Sequence, residues 1–339
     1  MKRIVVLDAI SDDACKRLEE ETGWVVEKRL GLAPADLPAA VEDADVLIVR
    51  SSTQVTAEVI AAARRLKVIG RAGIGVDNID MEAASEREIR VVNTPGATTT
   101  SVAEITMGAI LSLARWIHVG DRSLRAGEWR RSDFQGFELK GKLLGLVGFG
   151  RIGREVATLA QAFGMRVVAT DPFLDSSSVQ GVRIHTLDDV LSRADFVSLH
   201  VPLDQDTSRL LGREQLERMK RGAFLVNFAR GGLIDEEVLA ELLERGHLAG
   251  VALDTYATEP PGATIERILA HPRSLLLPHL GAQTREGQIR VGMELVETVA
   301  KAIKKFMSDR ANRLAEEREA QEAAAALSEA GEGSPESAS

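Results

Sequence analysis

Short apolar runs alternate with amphipathic stretches along most of the chain, which is the pattern of a parallel α/β protein. The run at 143–147 is apolar throughout, as expected for a strand covered on both faces of its sheet. We predict strands at 4–7, 46–49, 68–71, 90–92, 143–147, 167–170, 196–199, 224–226, 249–253 and 275–277. The predicted fold class is therefore α/β with doubly wound parallel sheets.

Two helical stretches divide these strands into two units. The first, 101–117, has Thr100 or Ser101 as its N-cap and Glu104 near its start. The second, 283–307, returns the chain to the first unit. We therefore predict a substrate domain of 1–98 plus 285–307, an inserted domain of 99–284, and an active site in the cleft between them. The acidic, Ala- and Glu-rich tail of 308–339 extends the last helix and is predicted to be disordered at its end.

A glycine-rich turn joins the strand at 143–147 to the helix after it. Gly148 permits the tight turn, Gly150 lets the backbone approach a pyrophosphate, and Gly153 brings the helix close to its strand. Asp171, directly after the next strand, is placed to accept hydrogen bonds from ribose hydroxyls and to repel a 2′-phosphate. We therefore predict NAD as the cofactor. The alternative is a glycine-rich turn that binds nothing.

Composition and charge indicate an enzyme of the cytoplasm. The chain has 339 residues and one cysteine, Cys15, so it cannot form an internal disulfide. Its net charge is −9, with eight of the acids in the tail, and no basic face for nucleic acid is evident. The first apolar run is too short for a signal peptide, and none approaches membrane-spanning length. We expect a cytoplasmic protein without a metal, bound to neither nucleic acid nor membrane.

Charged side chains follow three predicted strands of the inserted domain. The carboxyl ends of parallel strands meet at one edge of the sheet, where ligands bind. Arg230 follows the strand at 224–226, Glu259 follows 249–253, and His279 follows 275–277. These three side chains are therefore expected on the same rim as the glycine turn.

The three side chains together suit hydride transfer between NAD and a hydroxy acid. Removal of the hydroxyl proton needs a base, and histidine serves near neutral pH. Glu259 can hold the ring of His279, and Arg230 can bind the substrate's carbonyl and carboxylate oxygens bidentately. Each also has a purely structural interpretation: a turn histidine, an arginine bound to nearby carbonyls, and a Glu-Pro turn. His200 lies on the same rim.

The segments 148–155, 227–236, 253–260 and 278–282 resemble those of the D-isomer-specific 2-hydroxyacid dehydrogenases. The resemblance implies two Rossmann-like or flavodoxin-like domains, the nucleotide domain inserted into the substrate domain, and a homodimer or a dimer of such dimers. It also implies Arg230 as substrate-orienting residue, His279 as acid/base and Glu259 as its partner, with His200 on the adenine side. Beyond the three glycines and Asp171, the predicted cofactor contacts are Arg151, Ile152, Val201, Pro202, Phe228, Ala229, Arg230, Asp254, His279 and Gly281.

Within this family, the first unit is similar to the D-3-phosphoglycerate dehydrogenases in the segments 47–56, 70–80 and 93–96. A phosphorylated substrate needs cations, and Arg50 and Arg71 end neighbouring predicted strands. The backbone N–H groups of Gly73, Ile74 and Gly75 are placed to bind the substrate carboxylate. The alternative is that the arginines lie on the surface or hold loops in place.

Two departures from related enzymes bear on these expectations. Ile74 and Val201 stand where related enzymes often have threonine, so hydroxyls that would hydrogen-bond the cofactor are missing. No C-terminal regulatory domain of the kind carried by many phosphoglycerate dehydrogenases is recognised. Serine feedback through such a domain is therefore expected to be absent.

Three functions are consistent with the sequence. The first is NAD-dependent oxidation of 3-phosphoglycerate to 3-phosphohydroxypyruvate, the entry to serine biosynthesis. The second keeps the chemistry but acts on glyoxylate, hydroxypyruvate or another small 2-keto acid, which would not need Arg50 and Arg71. The third is an NAD-sensing interaction protein that resembles the C-terminal binding protein corepressors.

Overall fold

The computed structural model describes residues 2–331, with their side chains except at 264, 314, 317, 319, 320 and 322–331. The chain forms two compact units, one of Met1–Thr94 with the chain from Val291 onward, the other of Pro95–Arg290. Each unit has a parallel sheet flanked by helices, so the predicted fold class is confirmed. The disorder predicted at the end of the tail begins at Gly331, which the structure places at the end of the last helix; the remaining residues, 332–339, lie outside the described part of the chain.

The first unit carries a parallel sheet with helices on its connections. Its strands are β1 Arg3–Val6, β2 Val25–Lys28, β3 Val46–Val49, β4 Val68–Arg71 and β5 Arg90–Asn93. Its helices are α1 Asp12–Thr22, α2 Leu37–Val41, α3 Ala57–Ala62 and α4 Met81–Glu86, besides the last helix of the chain, α12 Arg285–Gly331. Over the described residues the five strands take the order β2-β1-β3-β4-β5.

The last helix packs directly on this sheet. A Cβ added to Gly70 in β4 would lie 2.6 Å from Cγ2 of Val299 and 3.2 Å from Cδ1 of Leu295. Both side chains belong to α12 and are buried. The helix predicted for 283–307 therefore covers β4, and it continues to Gly331.

The second unit is larger and carries the glycine turn. Its strands are β6 Leu143–Val147, β7 Arg166–Thr170, β8 Arg183–Ile184, β9 Phe196–Leu199, β10 Phe224–Asn227, β11 Gly250–Leu253 and β12 Ser274–Leu276. Its helices are α5 Thr99–Arg115, α6 Ile117–Arg125, α7 Arg151–Ala162, α8 Leu187–Arg193, α9 Arg213–Arg218, α10 Glu236–Glu244 and α11 Glu266–Ala270. The order of its seven strands within residues 2–331 is β12-β11-β10-β9-β6-β7-β8.

Both faces of this sheet are covered, as the apolar strands predict. One apolar cluster joins α5 and α7 to the sheet through buried side chains such as Ile110, Val156 and Phe196. A second cluster joins α8, α9 and α10 to the sheet, with Leu191 and Leu239 among its members. All residues of β6, β9, β10 and β11 are buried.

The helix predicted for 101–117 differs from the observed one at both ends. Its N-cap is Thr98, whose side chain makes no capping hydrogen bond, so the assignment of Thr100 or Ser101 as the cap is wrong. The hydroxyl of Ser101 instead lies 2.7 Å from that of Thr284. The helix ends at Trp116, which has a left-handed backbone with φ of 58°, and α6 continues in a new direction.

Among the described residues, no single helix is long and apolar enough to cross a membrane. Together, α5 and α6 have the length and apolar composition for it, but the pair is bent by 66°.

Close packing of α8 on β6 can be tested at Gly145. A Cβ there would lie 2.6 Å from Cγ1 of Val190 and 2.9 Å from Cβ of Ala194. We expect Gly145→Ala to lower the free energy of unfolding by about 1–3 kcal/mol, because a well-packed core resists added volume. The measurement is urea unfolding followed by circular dichroism. Gly108→Ala is the control: it lies in α5 with open space around it and should raise the stability by about 0.5–1 kcal/mol.

Candidate active site

The glycine turn between β6 and α7 leaves room for an anion. Gly148 has φ of 91°, and a Cβ on it would lie 2.7 Å from the carbonyl oxygen of His200. A Cβ on Gly153 would lie 2.4 Å from the carbonyl oxygen of Gly148, whereas nothing approaches within 4 Å of one on Gly150. Since α7 begins at Arg151, its free N–H groups lie beside this open space. The turn therefore fits a pyrophosphate.

Asp171 follows β7 and braces the same turn. Its Oδ2 accepts a hydrogen bond from the N–H of Phe149 at 2.9 Å, and its Oδ1 accepts one from the N–H of Phe173 at 3.0 Å. A carboxylate oxygen can accept a second hydrogen bond, so the predicted ribose contact is compatible with these two. The role of Asp171 in shaping the glycine turn was missed from the sequence.

His200 directly follows β9, and its backbone carbonyl lies against Gly148 of the glycine turn. Its Nε2 is 3.0 Å from the hydroxyl of Ser198, and its backbone N–H donates to Val147 at 2.7 Å. Burial lowers the pKa of His200 to about 4. The ring is therefore neutral near pH 7 and is a poor candidate for proton exchange.

The other predicted cofactor residues lie at the carboxyl edge of the same sheet. They follow β6, β9, β10, β11 and β12 directly: Arg151, Ile152, Val201, Pro202, Phe228, Ala229, Arg230, Asp254, His279 and Gly281. Their contacts with NAD remain predictions. Among residues 2–331, no group of three histidine, cysteine or acidic side chains could hold a metal ion.

The loop that carries Arg230 is folded by hydrogen bonds to Asn227, the last residue of β10. The side-chain amide of Asn227 donates to the carbonyl of Arg230 at 2.8 Å, and its oxygen accepts from the N–H of Ala229 at 3.1 Å. Nη1 of Arg230 donates to the carbonyl of Ala229 at 2.7 Å. These hydrogen bonds therefore hold the guanidinium of Arg230 in a defined position at the carboxyl edge of the sheet.

His279 and Glu259 form a hydrogen-bonded pair. Nδ1 of His279 lies 2.7 Å from Oε2 of Glu259, and both side chains are partly exposed. A carboxylate on this side favours the tautomer with the proton on Nδ1, which leaves Nε2 to take up or release a proton. This arrangement is that of a histidine base oriented by an acid.

The backbone at His279 is strained, and Asp254 holds the two residues that follow it. His279 has φ of 57°, in the left-handed region that non-glycine residues seldom adopt. The buried carboxylate of Asp254 accepts hydrogen bonds from the N–H groups of Leu280 and Gly281, both at 2.7 Å. Burial raises the pKa of Asp254, while these two donors act in the opposite direction.

The first unit brings the two predicted substrate arginines to the carboxyl ends of adjacent strands. Asp8 holds the Arg50 loop by accepting from the N–H groups of Arg50 at 2.6 Å and Thr53 at 3.2 Å. The guanidinium of Arg71 lies against Gly73, since a Cβ there would be 1.5 Å from its Nη1. The N–H of Gly73 donates to the carbonyl of Arg71 at 2.9 Å, so this one of the three predicted carboxylate-binding groups is already used within the loop. The roles of Ile74 and Gly75 remain predictions.

Comparison with known proteins identifies the family. Residues 107–281 match the model of the NAD binding domain of D-isomer specific 2-hydroxyacid dehydrogenases. The chain is 44% identical to the hydroxypyruvate reductase of Thermotoga maritima over 89% of this chain and 98% of that one. It is 45% identical to the D-3-phosphoglycerate dehydrogenase of Methanocaldococcus jannaschii, over 90% of this chain and 58% of that one. The chain therefore belongs to the D-isomer-specific 2-hydroxyacid dehydrogenases.

A solved structure supports the same conclusion. The 3-phosphoglycerate dehydrogenase of Entamoeba histolytica with bound NAD⁺ has a TM-score of 0.76 at 29% identity, covering 89% of this chain and 95% of that one. The predictions of an NAD-dependent family and of NAD as its cofactor are confirmed. The chain spans about half the length of the curated phosphoglycerate dehydrogenases it matches, from 49% to 58% of each.

Burial of His200 predicts a loss of stability in mild acid. The folded-state pKa of about 4 lies below the ordinary value of 6.5, so the unfolded chain takes up a proton first as the pH falls. Stability from the neutral ring is present above about pH 6.5 and is lost on the way to pH 4. Between pH 7.5 and 4.5, we expect the free energy of unfolding to fall by about 2–3 kcal/mol more in the wild type than in His200→Gln. Urea unfolding at several pH values measures this difference, and equal slopes would contradict it.

Proposed function

We propose that the protein oxidises a D-2-hydroxy acid with NAD, with His279 as acid/base. The observation that carries this proposal is the 2.7 Å contact between His279 and Glu259, at the sheet edge that also holds the glycine turn. An imidazole oriented by a carboxylate, at the sheet edge that also carries an open glycine turn, is what the reaction needs.

Each group has a separate task in this reaction. Nε2 of His279 takes the proton of the substrate hydroxyl, while Glu259 fixes the ring and stabilises the imidazolium that forms. Arg230 binds the carboxylate and the oxygen that becomes a carbonyl, with a charge that persists at any working pH. Gly148, Gly150 and Asp171 would hold NAD, which accepts the hydride when bound. No other step requires a group from outside the chain.

We propose 3-phosphoglycerate as the substrate, which places the enzyme at the entry to serine biosynthesis. Arg50 and Arg71 at the ends of β3 and β4 are the cations that a phosphorylated acid requires. Similarity to D-3-phosphoglycerate dehydrogenases, such as that of Methanocaldococcus jannaschii, supports the same choice.

A small 2-keto acid such as hydroxypyruvate is the second candidate substrate. The hydroxypyruvate reductase of Thermotoga maritima is matched over 98% of its length, so it agrees with this chain in extent as well as identity. Reduction of such an acid would use His279 as the proton donor and would make no use of a phosphate-binding arginine.

We also propose that the protein is a homodimer. The segment from α6 onward in the second unit exposes large apolar side chains: Ile117 is 57% exposed, Leu124 is 60% and Trp129 is 82%. Burial of these side chains against a second copy would remove them from water. Sedimentation equilibrium of the purified protein tests this assembly.

The role of His279 can be separated from cofactor binding. We expect His279→Ala to lower kcat by at least ~10², because the hydroxyl proton loses its acceptor, while the Kd for NAD stays within about threefold. Turnover is followed by NADH absorbance, and NAD binding by calorimetry. The control is His271→Ala, which removes another histidine from the same unit and should retain turnover. Near-normal kcat in His279→Ala would contradict the assignment.

Arg71 distinguishes the two candidate substrates. If the guanidinium binds a phosphate, Arg71→Ala should lower kcat/KM for 3-phosphoglycerate about 10–100-fold, the effect of losing one charged hydrogen-bonding group. The kcat/KM for D-glycerate should change less than about threefold. The control is Arg64→Ala, which removes a well-exposed arginine of the same unit. Equal losses on both acids would mean that Arg71 holds the loop and does not select phosphate.

A further inference from the structure

Tyr256 lies between the two acids of the β11 loop and is mostly buried, with 8% of its surface exposed. It is the single tyrosine of the chain. Its hydroxyl donates to the carbonyl of Leu277 at 2.8 Å, with the carbonyl of Leu253 at 3.4 Å as a longer alternative. Leu277 follows β12 and precedes His279 by two residues. The hydroxyl therefore ties the loop of Glu259 to the chain segment of His279.

The backbone of the same residue contacts the other two members of the site. Its N–H donates to Oε1 of Glu259 at 3.3 Å, and the second oxygen of that carboxylate binds His279. Its carbonyl lies against Gly231, directly after Arg230, where a Cβ would be 1.7 Å from the oxygen. Side chain and backbone of Tyr256 thus contact all three loops that carry Arg230, Glu259 and His279.

We propose that Tyr256 is a positioning residue for hydride transfer: its hydroxyl holds the β12 loop so that the imidazole of His279 stays in contact with Glu259. This inference rests on the proposed roles of His279 and Glu259. It goes beyond them because Tyr256 itself exchanges no proton with the substrate.

Two properties of the site give the hydroxyl this importance. Left-handed backbone at His279 persists only where its surroundings hold it. Before it, Leu277 donates its N–H to the carbonyl of Leu253 at 2.9 Å and accepts from the Tyr256 hydroxyl, which is the side-chain anchor on that side; after it, Asp254 holds the chain. Burial raises the pKa of Tyr256 to about 12, so the hydroxyl remains a donor throughout the range in which the enzyme works. A phenylalanine ring would fill the same space without supplying that donor.

The test is Tyr256→Phe, compared with the wild type in 3-phosphoglycerate and D-glycerate oxidation. We expect kcat to fall about tenfold, which is about 1.4 kcal/mol in the barrier. KM and the Kd for NAD should stay within about twofold, because the substrate and cofactor contacts are intact. The primary isotope effect with substrate deuterated at the reacting carbon should rise, since the chemical step becomes slower.

The matched control is Thr106→Val, which removes another buried hydroxyl that donates to a carbonyl, that of Val102 at 2.7 Å in α5. Its melting temperature reports what such a hydrogen bond contributes to stability alone, and its kcat should stay within about twofold of the wild type.

Three outcomes would overturn the inference. Undiminished kcat in Tyr256→Phe, with an active wild type, would show that the hydroxyl does not position His279. Equal losses of kcat, NAD affinity and melting temperature would make the hydroxyl a general structural contact. A wild type that binds NAD but oxidises no hydroxy acid would overturn the proposed function, and the inference with it.

Discussion

The parallel pairing of β10, β11 and β12 as neighbouring strands is the constraint on which the site depends. Adjacent strands are about 4.8 Å apart, so the loops that follow three of them emerge within about 10 Å of one another. Arg230, Glu259 and His279 each belong to one of these loops. Residues distant in sequence are brought to one edge because the strands run parallel, so that all three loops leave the sheet at its carboxyl end.

Backbone pairing alone does not fix the conformation of the loops. In both units, loops are held by the same type of hydrogen bond. An aspartate placed just after one strand accepts N–H groups from the loop that follows the neighbouring strand. Asp8 after β1 holds the loop after β3, Asp171 after β7 holds the glycine turn after β6, and Asp254 after β11 holds the loop after β12. Such charge-assisted hydrogen bonds offset the cost of burying a carboxylate at the edge of an apolar core. The sequence shows these acids, but their partners depend on which strands are neighbours.

Buried strands were the most predictable part of the fold. Apolar runs located β3, β4, β6 and β9 to the residue, because a strand covered on both faces tolerates little else. The edge strands β2 and β8 were not predicted, since Glu27, Lys28 and Arg183 interrupt their apolar character. The shared carboxyl edge of the predicted parallel strands also placed His279 and Glu259 on one rim, where they form a hydrogen bond.

Other features of the site depended on contacts that spacing does not encode. The tie from Tyr256 to Leu277 and the approach of Gly231 to the Tyr256 carbonyl depend on the exact path of two loops. A buried tyrosine and a glycine-containing loop indicate such a contact only once β10, β11 and β12 are known to be neighbouring strands. At the helix break, Trp116 also makes contacts that are distant in sequence: its indole Nε1 donates to the carbonyl of Gln135 at 3.2 Å, and the guanidinium of Arg273 lies over its ring.

The two sheet edges divide the chemistry between the units. All six histidines of the chain stand between residues 118 and 279, within the second unit, so a histidine base can come only from there. The substrate contacts proposed for the first unit are guanidinium groups and backbone N–H groups, which bind anions but do not exchange protons near neutral pH. Under the proposed roles, the second unit sets the reaction and the first selects the acid. Such a division would account for the nearly equal identity, 45% and 44%, that relatives named for phosphoglycerate and for hydroxypyruvate share with the chain. Substrate choice can change through a few cations while the larger unit and its proton chemistry are preserved.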